Sequence, residues 1–195
     1  AAIRWLAKYL KGTRNQGMVL KPDITKGLEL YVDADFAGNW DPAETDDVDT
    51  ARSRHGFCIK YANCIIQWKS QLQREIALSS TESEYTGLSY AIREVIPIIN
   101  LLEEIATRHN LPKVASKLFV KVYEDNAGAI EMANNHKYRP RTKHLNNRIH
   151  HFRQYIDSGK IKVVKIDTKN QQADILTKPL PIQQFEKLRK QLLNW

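Results

Sequence analysis

The chain is poor in the residues that would fix its class cheaply. It has only two cysteines among 195 residues, Cys58 and Cys64, which excludes a disulfide scaffold. They fall in adjacent strand-like segments and read as reduced sheet or core residues. No apolar run reaches the roughly 18 residues needed to span a bilayer, and no signal-peptide pattern opens the sequence. Internal repeats and low-complexity tracts are absent too. The acidic loop 39–53 lacks the glycine and the closing bidentate glutamate of an EF-hand, so Asp41, Glu44, Asp46, Asp47 and Asp49 read as a solvated loop.

What remains is a chain of single-domain length with 42% hydrophobic residues, enough for a real core. The net charge of +8 is unevenly spread: residues 31–50 carry seven acids and no Lys or Arg, while residues 136–195 carry fourteen Lys or Arg against four acids. An acidic pole followed by a basic third suits a polyanion held beside bound cations, although solubility alone also accounts for basic surface.

The hydrophobic pattern predicts a coarse order α, β-β-β-α-β-α-α-β-α-α. Residues 1–11 form an amphipathic helix with Ile3, Leu6, Ala7 and Leu10 on one face, ended by Gly12. Residues 28–37 read as a strand. GFCIKYAN and CIIQWKSQ form a hairpin joined near Asn63. Ser79 with Glu82 makes a capping box for a long helix with an apolar stripe from Leu88 to Ile105, which Pro97 should kink or split. KLFVKVYED reads as a buried central strand, AGAIEMANN as a short helix and RTKHLNNRIHHFRQYIDSG as a basic helix. KIKVVKID is the last strand. ADILTKPLPIQQFEKLRKQLLNW gives a short helix, stopped by Pro179, and a final amphipathic one. Strand–helix alternation in the second half implies parallel pairing there, after an antiparallel meander.

Four acids stand at the ends of apolar runs: Asp33 in YVDADFAG, Glu84 in SSTESEYTGL, Asp125 in VYEDNAGAI and Asp174 in NQQADILTKPL. Carboxylates so placed can converge at one sheet edge. Clustered carboxylates repel one another and need a cation to share the site. Oxygen ligands without thiolates point to Mg²⁺ or Mn²⁺, and paired hard cations on carboxylates serve phosphoryl chemistry. Asp35 shares a strand face with Asp33 and reads equally as an outer partner of the metal site or a solvated strand-end acid.

The order of acids resembles ribonuclease H. The strings YVDADFAG, WKSQLQREIALSSTESEY, YEDNAGAI, RTKHL and QQADILTKPL resemble more narrowly the ribonuclease H domain of copia-type LTR retrotransposon polyproteins, over about residues 28–195. Residues 1–27 resemble the end of the preceding reverse transcriptase, its thumb or connection region. The resemblance implies an α/β fold: a mixed five-stranded sheet, three antiparallel then two parallel strands, with helices on both faces. It implies hydrolysis of the RNA strand of RNA/DNA hybrids by two Mg²⁺ ions, for which Mn²⁺ can substitute. Asp33 would bridge both ions and Asp174 would hold the water-side ion, with Glu84 and Asp125 on the leaving-group side. Glu82 competes with Glu84 for the helix position, which the following Tyr85 assigns to Glu84.

Hybrid recognition would fall to Ser80, Thr81 and Asn126 in the minor groove, with Trp68, Lys69, Gln71 and Arg74 tracking the DNA strand. Arg139, Arg141, Lys143 and His144 would form a phosphate-facing cluster. Capping is the plainer role for Ser80 and Thr81, and core packing for Trp68. Many relatives carry a histidine in the loop before the last acid; IDTKNQQAD has none, leaving Lys169 or His144 as substitutes. The basic helical handle of cellular relatives is also missing, so substrate grip would depend on the attached reverse transcriptase. The expected partners are the hybrid and that polymerase, without a membrane, in cytoplasmic virus-like particles. Two alternatives stand beside this: a catalytically inactive ribonuclease H-like connection or nucleic-acid-binding module, and an integrase or transposase, which would place its glutamate last.

Overall fold

The computed structural model describes residues 2–44, 46–111, 119–135 and 152–195. Its centre is one five-stranded sheet in the order β3-β2-β1-β4-β5. The strands are β1 (Leu28–Asp35), β2 (Arg54–Tyr61), β3 (Cys64–Leu72), β4 (Val120–Glu124) and β5 (Ile161–Lys165). β1 pairs antiparallel with β2 and parallel with β4; β2–β3 is antiparallel and β4–β5 parallel. This is the mixed sheet the sequence implied.

Alternation along β1 builds two layers. Leu28, Leu30 and Val32 face the long helix α3 (Ser80–Arg108), meeting Tyr85, Leu88, Ile92, Val95 and Ile99. Helix α4 (Ala127–Asn134) packs on the same face, as do Phe152, Tyr155 and Ile156 of helix α5 (152–157). Tyr31 faces the other way with Cys58 and Ile65, under Ala173 and Leu192. Ala173 lies in the second of two short 3₁₀ turns, Thr168–Asn170 and Gln172–Leu176; Leu192 lies in the final helix α6 (Ile182–Leu193).

The cysteines are both free, Cys58 buried and Cys64 partly so. The β2–β3 turn falls at Ala62 and Asn63, whose φ values of 49° and 66° give the left-handed pair that a two-residue hairpin needs. The linker after α1 (Ala2–Thr13) lies along this turn and α6, with Val19 N–H donating to the Leu193 carbonyl at 2.9 Å and Asp23 N–H to the Ala62 carbonyl at 2.8 Å. No residue of α1 is buried. A one-turn helix, α2 (Val48–Ala51), interrupts the acidic loop and is capped by Asp47.

Three expectations change. Pro97 neither splits α3 nor ends it: Ser80–Arg108 is one helix. The proline sits on the exposed face, where water can meet the carbonyl it leaves unpaired, while Val95 and Ile99 pack on the sheet beside it. β4 is an interior strand, between β1 and β5, but it is not an unbroken buried run. β4 begins only at Val120 and alternates, with Val120, Val122 and Glu124 inward and Lys121 outward. Asp174 stands in a 3₁₀ turn rather than an α-helix. Among the described residues, no helix is long and apolar enough to cross a membrane.

Candidate metal centre

β1 is where the sheet changes sense, with β2 antiparallel on one side and β4 parallel on the other. The carboxyl end of strands at such a switch point opens a crevice. The parallel register pairs Tyr31 with Tyr123, so continuing it two residues brings Asp33 level with Asp125. Helix α3 starts over the same end, capped by the Ser79 hydroxyl, which accepts from Glu82 N–H at 3.1 Å. The reciprocal arm of the box is displaced, since Glu82 accepts from Leu78 N–H at 2.9 Å. Glu84 follows one turn in. One carboxylate oxygen each from Asp33, Glu84 and Asp125 lie within 4.8 Å of one another.

Asp174 enters from the second 3₁₀ turn, buried like Asp33. The same segment brings two more groups. The Thr177 hydroxyl donates to Asp33 Oδ2. Lys178 Nζ lies 3.3 Å from Asp33 Oδ1 and 3.0 Å from Asp174 Oδ1. The turn seats against β2 because the residue opposite Asp33 is Gly56. A Cβ there would lie 2.7 Å from Leu176 Cβ and 2.9 Å from Thr177 Cγ2.

The electrostatics are those of a site that needs a cation. Burial first, then Glu124, Asp33 and Asp125, push the Glu84 carboxyl up to about 11, with Lys178 opposing. Burial and then Asp33 raise Asp174 to about 7, again against Lys178. Asp35 is raised too, mainly by burial. Burial acts to lower the Lys178 ammonium, but Asp33 and Asp174 together outweigh it and hold it above the usual lysine range. Glu84 Oε2 is buried and has no hydrogen-bond partner among the described residues. An all-oxygen donor set with an orphaned buried carboxylate oxygen fits a hard divalent ion, which Asp33, Glu84 and Asp125 would hold; Asp174 stands outside that group of three and is linked to Asp33 through Lys178.

No protein-family model matches the chain. It is similar to the retrovirus-related Pol polyprotein from transposon TNT 1-94 of Nicotiana tabacum, 35% identical over 99% of this chain and 13% of that protein. The Pol polyprotein from transposon RE1 of Arabidopsis thaliana is likewise 35% identical, over 95% of this chain and 12% of its own length. The chain's homologues are copia-type retrotransposon Pol polyproteins. It spans about an eighth of the length of these relatives. Among solved structures it is similar to the N-terminal RNase H domain of rv2228c from Mycobacterium tuberculosis, solved as a fusion with maltose binding protein. The TM-score is 0.50 at 13% identity, covering 84% of this chain and 96% of that one. The fold of this Pol segment is that of ribonuclease H.

The other expected site residues of this Pol segment are placed unevenly. Ser80 is exposed at the first turn of α3, and Thr81 lies against Gly128 at the start of α4, both one turn from Glu84. Asn126 adjoins Asp125 and caps α4, its Oδ1 accepting from Ala129 N–H at 3.0 Å. Lys69 lies on the outer strand β3, separated from β1 by β2, and pairs with Glu94 of α3 at 3.5 Å. Trp68 is 56% exposed on the same strand, so it is not core. Lys169 is exposed, and its carbonyl accepts from Gln184 and Lys187 of α6. Arg139, Arg141, Lys143 and His144 lie outside the described residues.

Four residues at the centre were missed in the sequence. Glu124 is fully buried beside Glu84; its Oε1 accepts from Asn126 N–H at 3.1 Å, and burial raises its carboxyl well above the ordinary range. Alternation from Val120 and Val122 would have pointed it inward. Thr177 and Lys178 stand three and four residues after Asp174, the spacing of one helical turn. Gln171, fully buried, donates to the Val32 and Tyr123 carbonyls; nothing in NQQAD marks it.

Proposed function

We infer that this Pol segment is a ribonuclease H that hydrolyses the RNA strand of RNA/DNA hybrids with two Mg²⁺ ions, Mn²⁺ substituting. The observation that carries this reading is the convergence of Asp33, Glu84 and Asp125 at the carboxyl end of β1 and β4, with Asp174 behind a shared lysine. Bound there, the ions supply Lewis-acid stabilisation of an in-line displacement and acidify the attacking water. The protein's own residues do the rest. Asp33 and Asp125 on adjacent strands, with Glu84 on a helix, set carboxylates on rigid elements, so little reorganisation remains for the reaction. Water's oxygen joins phosphorus as the bond to the 3′-oxygen breaks, leaving a 3′-hydroxyl and a 5′-phosphate. Ser80, Thr81 and Asn126 border the acids and are the side chains best placed to meet ribose hydroxyls of the RNA.

The reading extends to context. Residues 28–195 are the ribonuclease H domain and residues 1–27 the end of a reverse transcriptase. Lys69, Arg141, Lys143 and His144 contact the hybrid backbone, and the polymerase supplies further grip. The work is done in a cytoplasmic virus-like particle. The test is cleavage of labelled RNA/DNA hybrid, single-stranded RNA and duplex DNA with Mg²⁺ or Mn²⁺. Hybrid-only cleavage that is lost in Asp125→Asn supports the enzyme. Absence of cleavage, both alone and with the upstream polymerase joined, would leave an inactive module instead.

A further inference from the structure

Lys178 is poorly explained as a surface lysine. Its side chain is 29% exposed, and its ammonium reaches two carboxylates whose side chains are only 1% and 4% exposed. It uses the same kind of oxygen on each, Oδ1 of Asp33 and Oδ1 of Asp174, at 3.3 and 3.0 Å. A divalent ion shared by those oxygens would lie about 2.0–2.1 Å from each, in space the ammonium fills. Ion and ammonium cannot both sit there. The Glu84 and Asp125 side of the centre has no such cation among the described residues in contact with it, and Glu84 Oε2 stands unpartnered.

The segment around Lys178 favours exchange over a permanent lock. Asp174 and Lys178 are four residues apart, and Thr177 between them fixes Asp33 Oδ2 through its hydroxyl. The backbone of the turn is therefore anchored without the ammonium. The lysine stem is flexible and partly exposed, so the charge can swing outward while the turn stays.

We propose that Lys178 is a tethered counter-ion, holding the Asp33–Asp174 side of the centre in the metal-free protein and leaving it when a divalent ion binds there. This rests on reading the centre as a metal site. It makes the two sides unequal: a metal entering between Asp33 and Asp174 must displace a positive charge, while one entering at Glu84 and Asp125 need not. Lys178 is thus a positioning residue that sets how much Mg²⁺ the centre demands, and it keeps the acid pair folded before the metal arrives.

The experiment is a Mg²⁺ titration of the 195-residue chain without substrate, followed by calorimetry and thermal melting, in the native protein, Lys178→Met and Lys178→Arg. Lys178→Met should bind the metal at about tenfold lower Mg²⁺ concentration or less. It should melt lower than the native protein in EDTA and level with it at saturating Mg²⁺, whereas Lys178→Arg should stay close to the native midpoint. An unchanged midpoint in Lys178→Met overturns the proposal. Amine-reactive labelling of the native chain, read by mass spectrometry, covers the case of a variant that does not fold. Lys178 should be protected in EDTA and become several-fold more reactive with Mg²⁺. Equal labelling in both conditions, with metal bound, removes Lys178's role alone; no Mg²⁺ binding by the native chain removes this role and the ribonuclease reading together.

Discussion

The side-chain amide of Gln171 donates to the carbonyl of Val32 at 2.7 Å, across 139 residues of sequence and one residue short of Asp33. It also donates to the Tyr123 carbonyl at 3.3 Å, two residues short of Asp125. Its own oxygen accepts from Ala173 N–H at 3.3 Å, next to Asp174. One buried amide therefore ties the ends of β1 and β4 to the turn that carries the last acid. Gln171→Leu leaves the buried Val32 carbonyl and the half-buried Tyr123 carbonyl short of a donor and should cost about 2–3 kcal/mol. Urea unfolding measures this. Hybrid cleavage should fall further than stability predicts, because the register of three acids depends on the same group. A Gln171→Leu protein with native stability would show that water replaces the amide.

Gly56 sets the depth of the site from the other side. Any side chain there meets Leu176 and Thr177 inside contact distance. Gly56→Ala should push the turn outward, part the Thr177 hydroxyl from Asp33 and separate Lys178 from the acid pair. The expected destabilisation is about 1–3 kcal/mol, with cleavage reduced at least about tenfold in a folded protein. Circular dichroism alongside the hybrid assay separates the two effects.

How far the sequence disclosed this arrangement depends on the kind of interaction. Period-two and helical patterns are local, so β1, the β2–β3 hairpin and α3 were readable, and the acids could be ranked by where those elements end. The change from meander to strand–helix alternation gave the antiparallel and parallel pairing, but not the strand order. Asp174 could be named but not its backbone, because a 3₁₀ turn of QADIL and an α-helical one share a pattern over five residues. Gln171, Thr177 and Lys178 went unread as site residues: their contacts to Val32 and Asp33 span 139 residues or more and carry no mark in the local string, although the one-turn spacing of Thr177 and Lys178 after Asp174 was there to be used. Glu124 was passed over because KLFVKVYED was read as a run, which hid its alternation. The split that Pro97 offered in α3 did not occur, because exposure at one residue decides whether a missing donor matters.

Pro97 is accordingly a site where stability can be added. It occupies an exposed interior position of a 29-residue helix, well after Glu84. Pro97→Ala restores a backbone donor and a better helix former, partly offset by the freer unfolded chain. The net gain should be about 1–3 kcal/mol with cleavage unchanged. A loss of stability would mean that α3 uses the proline's geometry in a way its packing does not reveal.

The buried acids fix the sign of the pH dependence in metal-free protein. Burial and the neighbouring acids raise Glu84 to about 11 when folded, from an ordinary value of 4.5. The folded state then keeps a proton that the unfolded state releases, so stability is greatest below pH 4.5 and declines as pH rises toward 11. Asp174, raised to about 7 from 3.8, adds to the decline below neutrality. His55 acts oppositely: burial lowers it to about 4 from 6.5, so its contribution is lost as pH falls through that window. Glu124, also raised by burial, pulls the same way, so between pH 7 and 9 the buried Glu84–Glu124 pair should dominate, each carboxyl contributing about 1.4 kcal/mol per pH unit at most. Urea midpoints in EDTA should fall across this range in the native protein and stay flatter in Glu84→Gln. Saturating Mg²⁺ should flatten the native profile too, because the ion stabilises the charged carboxylates that burial disfavours. A native profile in EDTA as flat as that of Glu84→Gln would mean that water or a relaxed side chain already solvates the acid.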